Sequence, residues 1–221
     1  MSYDRLMDIY NLLFDRFGPQ HWWPGQSRFE VIIGAILTQN TNWSNVEKAI
    51  YNLKNCDSMS AKVLFDMDTA RLAELIRPAG YYNIKAARLK SFLQWLHDNY
   101  DLDVDALENL PVYRMREELL RIKGIGRETA DSIVLYAYDK PTFVVDAYTC
   151  RILVRHGLID AEADYEQVKE FFEGSLPTET KLFNEFHALI VQAGKNFCKP
   201  KPKCAQCPLN PLPHEIEVEN Y

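Results

Sequence analysis

The sequence predicts an all-α fold, and three observations carry that expectation. Nearly every periodic stretch repeats its apolar residues at helical spacing. No run alternates apolar and polar residues with the period of a half-buried strand. The breaks fall at junctions such as Pro78-Ala79-Gly80, Leu110-Pro111 and Leu176-Pro177. Helix formation starts almost at once. After Tyr3, Asp4 and Arg5, the residues Leu6, Ile9, Tyr10, Leu13, Phe14 and Phe17 recur on one face. Ser27-Arg28-Phe29-Glu30 has the spacing of a capping box. It precedes Val31–Leu37, which is apolar all round and is therefore expected as a buried central helix. Further helices are expected near 43–54, 60–66, 68–76, 83–99, 114–121, 127–138, 147–156, 164–174 and 180–196. Trp95 lies in a stripe with Phe92 and Leu96, which predicts a core position.

The chain has 221 residues, enough for a sizeable core and one or two domains. No apolar run reaches membrane-spanning length, and neither a signal peptide nor a transit peptide is visible, so an intracellular, cytoplasmic protein is expected. No internal repeat or low-complexity segment stands out. The formal net charge of −6 is awkward for a polyanion partner but does not forbid a local basic face. Candidates for such a face are Lys85, Arg88 and Lys90, then Lys123 and Arg127, then Lys195, Lys199, Lys201 and Lys203.

The most informative stretch runs from Ile122 to Asp146. Gly124 and Gly126 flank Ile125 between two helical patterns, Leu119-Leu120-Ile122 before and Ala130, Ile133, Val134 and Ala137 after. Glycines at both places permit positive φ and close approach of a ligand. Exposed amides at the start of the helix from Arg127 can bind an anion, and Lys123 and Arg127 add charge beside it. Ile125 is expected to plug the hairpin into the core. Asp146 follows Gly126 by twenty residues and closes the apolar run Phe143-Val144-Val145. It suits the N-cap of the next helix, and its carboxylate could stabilise positive charge or orient water.

Four segments together resemble the helix–hairpin–helix DNA glycosylases of the endonuclease III superfamily, over nearly the whole chain. They are Ile122-Lys123-Gly124-Ile125-Gly126-Arg127-Glu128-Thr129-Ala130, Val145-Asp146-Ala147-Tyr148, Leu37-Thr38-Gln39-Asn40-Thr41 and Gly80-Tyr81-Tyr82-Asn83-Ile84-Lys85-Ala86. The resemblance implies a base-excision repair enzyme acting as a monomer on double-stranded DNA with a damaged, flipped base, associated with the nucleoid. Its DNA contacts would come from Gln39, Tyr81, Lys123, Gly124, Ile125, Gly126, Arg127 and Thr129, and Asp146 would be catalytic. It also implies two helical domains with a DNA-binding cleft between them. One would be contiguous, 25–136, with the hairpin at 118–138. The other would join 1–24 to 137–221 and carry a cysteine loop at 198–207. Phosphate contacts imply affinity that falls steeply with salt.

Position 128 departs from the bifunctional members of that family, which carry lysine there. Glu128 has no amine to attack the sugar, so the comparison predicts a monofunctional enzyme that uses water, without lyase activity. Glu128 would then assist the water or contact the base edge. Another reading leaves Glu128 as a solvated helix residue with a different lysine doing the work. Gln20-His21-Trp22-Trp23-Pro24 presents flat aromatic faces, which attract cations and stack on bases. With Glu128 and the short chain, this segment looks like the 3-methyladenine branch. That makes Trp22, Trp23, Pro24 and Trp43 base-pocket candidates. The alternatives are an endonuclease III-like glycosylase and lyase acting on oxidised pyrimidines, and, in another class, a non-catalytic damaged-DNA-binding module.

Cys198, Cys204 and Cys207 cluster near the end of the chain, whereas Cys56 and Cys150 stand alone. In an intracellular protein such a cluster points to metal before disulfide. Many members of the family carry a [4Fe–4S] cluster here on four cysteines. This chain has one residue fewer in the first gap, and Pro213 followed by His214 where the fourth cysteine would stand. Four thiolates are the usual complement. His214 or another ligand could complete a cluster, a labile three-cysteine cluster could form, zinc could bind on three cysteines and a histidine, or packing could hold a decayed site. No organic cofactor is expected.

Overall fold

The structure is a computed structural model and describes residues 2–216. Those residues form helices and loops, with no strand among them. The helices are α1 (Ser2–Phe17), α2 (Arg28–Leu37), α3 (Trp43–Asn55), α4 (Ala61–Asp66), α5 (Thr69–Leu75), α6 (Tyr82–Tyr100), α7 (Val112–Leu120), α8 (Arg127–Ser132), α9 (Ala147–Arg155), α10 (Tyr165–Ser175) and α11 (Thr180–Asn196), with short 3-10 turns between some of them. No helix among the described residues is long and apolar enough to cross a membrane. The chain divides into two compact units: Trp23–Lys140 is one, and residues up to Trp22 together with those from Pro141 onward are the other. The division separates Trp22 from Trp23 and leaves Trp23, Pro24 and residues 137–140 with the contiguous unit.

In the Trp23–Lys140 unit α2 is the central element, with every residue from Phe29 to Leu37 buried. An all-apolar helix can do this only where other helices cover each face; here α3, α6 and α8 pack on it. Its N-terminus is half of the expected capping box. Ser27 accepts from the Glu30 amide, but the Glu30 carboxylate turns to the Gln26 amide at 3.1 Å and to Lys54 at 2.8 Å. The buried Glu30 gains a cation there, which the Ser27 amide could not supply. The helix expected over 127–138 is α-helical only to Ser132 and widens into a π turn over Ile133–Ala137. Arg28 takes up the loosened end: its Nε donates to the Ala137 carbonyl at 3.1 Å, and its guanidinium lies 4.8 Å over the Tyr138 ring.

The other unit is organised on α11, whose residues Phe183, Phe186, His187, Leu189, Ile190 and Gly194 are among those buried. α1 buries Leu6, Ile9 and Leu13 in this unit, and Tyr10 meets Phe186 edge-on at 5.3 Å. α9 crosses α11 at a contact that requires glycine: a Cβ on Gly194 would lie 2.6 Å from the Tyr148 Cβ. α10 begins with a complete capping box between Asp164 and Gln167 and supplies Phe172, which stacks on Phe143 at 3.7 Å.

Candidate active site

The hairpin forms as the glycine pattern predicts, with one correction. Ile122 and Ile125 are buried, and the Ile125 amide closes on the Ile122 carbonyl at 3.0 Å. Only Gly124 needs glycine for its backbone, at φ +95°, and its α-carbon lies against the Arg88 stem, 3.1 Å from Arg88 Cδ to a Cβ placed there. Gly126 has extended φ −93° and open space around it; it serves as the N-cap of α8. Lys123, Arg127 and Glu128 are exposed. Thr129 is buried instead, and its hydroxyl accepts from Gln39 Nε2 at 2.9 Å. Gln39 also donates to the Gly124 carbonyl at 3.0 Å and accepts from Arg88, so the Gln39 loop is tied to the hairpin. Tyr81 is 68% exposed and holds left-handed φ +46° after Gly80 at φ +68°.

Two of the expected basic residues are unavailable to phosphate. Lys85 is buried, and its ammonium donates to the Leu37 and Ala79 carbonyls at 2.8 and 2.7 Å. Lys90 donates to the carbonyls of Leu64 and Phe65 at 2.8 and 2.7 Å, and to Met67. Both satisfy carbonyls at helix C-termini, where a cation is favoured.

Of the aromatic candidates, Trp23 meets Trp43 edge-on at 5.0 Å and Tyr136 at 5.2 Å. Gly34 of α2 makes room for both indoles: a Cβ there would lie 3.1 Å from Trp23 Nε1 and 3.5 Å from Trp43 Cη2. Pro24 is exposed. Trp22, in the other unit, has the Lys195 ammonium 5.6 Å over its ring.

Asp146 is the N-cap of α9, and its Oδ1 accepts from the Thr149 amide at 2.7 Å and the Thr149 hydroxyl at 2.9 Å. Oδ2 faces His187 Nε2 at 3.7 Å, within ion-pair range but long for a direct hydrogen bond. Burial opposes ionisation of this carboxyl, but His187 and the Thr149 donors outweigh it and hold the group below the usual carboxylate range. The Lys195 ammonium, lowered by burial, is partly restored by the Asp146 charge. The extended segment leading to Asp146 is fixed from α10. The Phe143 amide donates to Glu173 Oε1 at 2.7 Å, the Val145 amide meets the Tyr165 hydroxyl at 3.4 Å, and Lys169 pairs with Glu173. His187, Glu173 and Tyr165 were not legible as site residues, and Lys195 was legible only as part of a basic face. His187 and Lys195 come near Asp146 through the α9–α11 crossing, and the one local signal was Gly194 inside a helical pattern.

The cysteine loop folds back on α9. Cys198, Cys204 and Cys207 line one small cavity with Arg155, His156 and His214. Burial, with the other two cysteines nearby, pushes the Cys207 thiol up against the lowering effect of the Leu209 backbone. Nevertheless, among the described residues no group of three or more His, Cys, Asp or Glu is gathered to hold a metal ion. As placed, the loop offers three thiols and two imidazoles around that cavity, donors of the type a metal centre uses but not drawn together into one. The loop is held by arginines instead: Arg155 donates to Cys198 Sγ at 3.3 Å and to the Lys199 and Pro200 carbonyls at 2.7 and 3.2 Å, and Arg151 to the Cys198 carbonyl at 2.7 Å. Replacing Arg155 by Met should cost about 1.5–3 kcal/mol, since the hydrogen bonds from a charged donor to the loop are lost. Thermal denaturation with limited proteolysis of the 198–207 loop checks this.

The family model for the HhH-GPD superfamily of base excision DNA repair proteins matches residues 33–178, a span that includes the hairpin and Asp146. The chain belongs to that superfamily. Among curated HhH-GPD relatives, the protein named "Putative DNA repair glycosylase MJ1434" of Methanocaldococcus jannaschii is 47% identical over 94% of this chain and 95% of its own length. Endonuclease III of Thermotoga maritima is 30% identical over 81% of this chain and 79% of its own length. Among solved structures, the Helicobacter pylori 3-methyladenine DNA glycosylase MagIII bound to 1,N6-ethenoadenine is 31% identical, with a TM-score of 0.73 over 88% of this chain and 97% of that one. A non-covalent endonuclease III–DNA complex, at 22% identity, shares the fold with a TM-score of 0.82 over 96% of this chain and 95% of that one. The protein is thus a base-excision DNA glycosylase of the HhH-GPD superfamily.

Proposed function

We propose that this glycosylase is monofunctional and hydrolyses the N-glycosidic bond of alkylated purines, 3-methyladenine foremost, in duplex DNA. The observation that carries the reading is the Asp146 carboxylate. It is half-buried, held ionised, and has Oδ1 committed to Thr149 while Oδ2 faces His187. A fixed anion of this kind stabilises the oxocarbenium-like charge that develops as the glycosidic bond breaks, and it orients the water that attacks C1′. Base flipping costs a few kcal/mol, and Gln39, Tyr81 and the hairpin are the groups that would hold the opened duplex. The exposed carboxylate of Glu128 offers no amine for a Schiff base, which favours hydrolysis without strand cleavage. The alkyl-purine preference draws support from the likeness to MagIII and from the Trp23–Trp43 pair.

One observation favours a second reading, a damaged pyrimidine as substrate. The Lys195 ammonium already lies over the Trp22 ring, where a cationic purine would meet like charge. The same ammonium would stabilise a neutral base that departs as an anion. Single-turnover release from duplexes carrying 3-methyladenine, 1,N6-ethenoadenine or an oxidised pyrimidine separates the two. We expect the alkylated purines to be released faster; the reverse order would replace the first reading by the second. The cysteine loop is our proposed site for an iron–sulfur cluster. It would need the three cysteines to converge and a fourth ligand, His214 or another, to join. Iron and zinc analysis of the purified protein, with its visible absorption, decides it: colourless protein without iron would contradict the proposal.

A further inference from the structure

The DNA-facing roles proposed for the Trp23–Lys140 unit fall on three loops: the Gln39 loop, the Gly80-Tyr81 turn and the hairpin at Gly124. All three are keyed to the first two turns of α6. Lys85 is 1% exposed, and its Nζ joins the Leu37 carbonyl, at the end of α2, to the Ala79 carbonyl, at the end of the 3-10 turn Arg77–Ala79. Helix C-termini carry partial negative charge, so one buried ammonium holds two of them together. Burial and the neighbouring Arg88 lower the Lys85 pKa to about 8, which leaves it mostly charged at neutral pH. Its amide also accepts a place in the turn, donating to the Tyr81 carbonyl at 3.0 Å.

One turn further along, Arg88 donates to Gln39 Oε1 while its stem fills the space that only a glycine at 124 leaves open. Gln39 Nε2 completes the link to the Gly124 carbonyl and Thr129. Tyr81 meanwhile keeps a left-handed backbone that costs a non-glycine residue about 1–3 kcal/mol and persists only where its surroundings impose it. The Lys85 ammonium holds the Ala79 carbonyl just before that residue's turn.

We propose that Lys85 and Arg88 are positioning residues that hold the Gln39 loop, the Tyr81 turn and the hairpin in one register, so that the duplex is opened and the target nucleotide displaced as a single event. Neither touches the reacting atoms. The proposal rests on the glycosylase reading above. It differs from a phosphate-contact role for Lys85, which burial rules out.

The test compares Lys85→Met and Arg88→Met with the wild type in single-turnover base release. One substrate has the target base paired; the other has it opposite a stable abasic analogue and so already unpaired. A 2-aminopurine beside the target reports unstacking. A misplaced loop costs about 10- to 100-fold in rate, and we expect a loss of that size on the paired substrate, most of it recovered on the unpaired one, with the unstacking signal reduced. Equal losses on both substrates with an unchanged unstacking signal, or no loss on either, would overturn the proposal. Arg88 is only half-buried, so its variant carries the test if Lys85→Met does not fold. If the wild type releases no base from either substrate, the glycosylase reading fails instead, and the 2-aminopurine signal still decides the role of the two residues.

Discussion

Asp146→Asn should lower single-turnover base release by at least about 10²–10³-fold, the size of effect seen when one preorganised electrostatic group is removed from an active site. The substitution isolates the charge. Asn is as good an N-cap as Asp, so the Thr149 hydrogen bonds that start α9 can be kept. The thermal stability of the variant should accordingly stay within about 1 kcal/mol of the wild type at neutral pH. The folded-state pKa of Asp146 is depressed, so its stabilising contribution is present above the unfolded value of about 4 and disappears as pH falls through the folded one. The stability gap between the two proteins should therefore close toward acid pH. Equal catalytic rates would remove Asp146 from the chemistry. A large loss of stability at neutral pH would make the residue structural first.

Gly194→Ala should be the most damaging single methyl group in the Asp146 unit. The added Cβ would overlap the Tyr148 ring and lie 2.6 Å from the Tyr148 Cβ. Tyr148 sits next to the α9 backbone and cannot swing away at that atom, so α11 must shift. Overpacking of this kind costs about 1–3 kcal/mol, against a helix-propensity gain of about 1 kcal/mol for replacing glycine. The effect on activity should exceed the effect on stability, because the shift carries His187 and Lys195 away from Asp146. Denaturant unfolding together with kcat of the variant checks this. A stabilised, fully active Gly194→Ala protein would mean that the α9–α11 crossing does not set the geometry around Asp146.

These two residues also mark where sequence reasoning succeeded and where it stopped. The N-cap position of Asp146 was legible because a cap, an apolar approach and a hairpin lie in one local order. The buried α2 was legible because its residues are apolar on every face. The all-helical architecture followed from periodicity, with the expected helices present near their expected bounds except that the one over 127–138 turns π after Ser132. Lys85 and Lys90 were misread as surface charge. A lysine on a helix looks the same in sequence whether its ammonium meets water or the carbonyl end of another helix, and only the packing of α6 against α2 and α4 decides which. The places of His187 and Lys195 beside Asp146 were invisible for a related reason. Their importance comes from a crossing of two helices far apart in the chain. The half-formed capping box at Ser27 failed because Lys54, from α3, competes for Glu30.

The central claim is that base removal is hydrolytic, driven by Asp146 without an amine nucleophile. The most direct test is to incubate the protein with methylated duplex DNA, measure free base by chromatography, and measure strand nicking in the same tubes. The account predicts free 3-methyladenine with the strand left intact and no borohydride-trapped adduct. Strand cleavage in step with base release, together with a covalent adduct, would contradict it and direct the search to a lysine nucleophile.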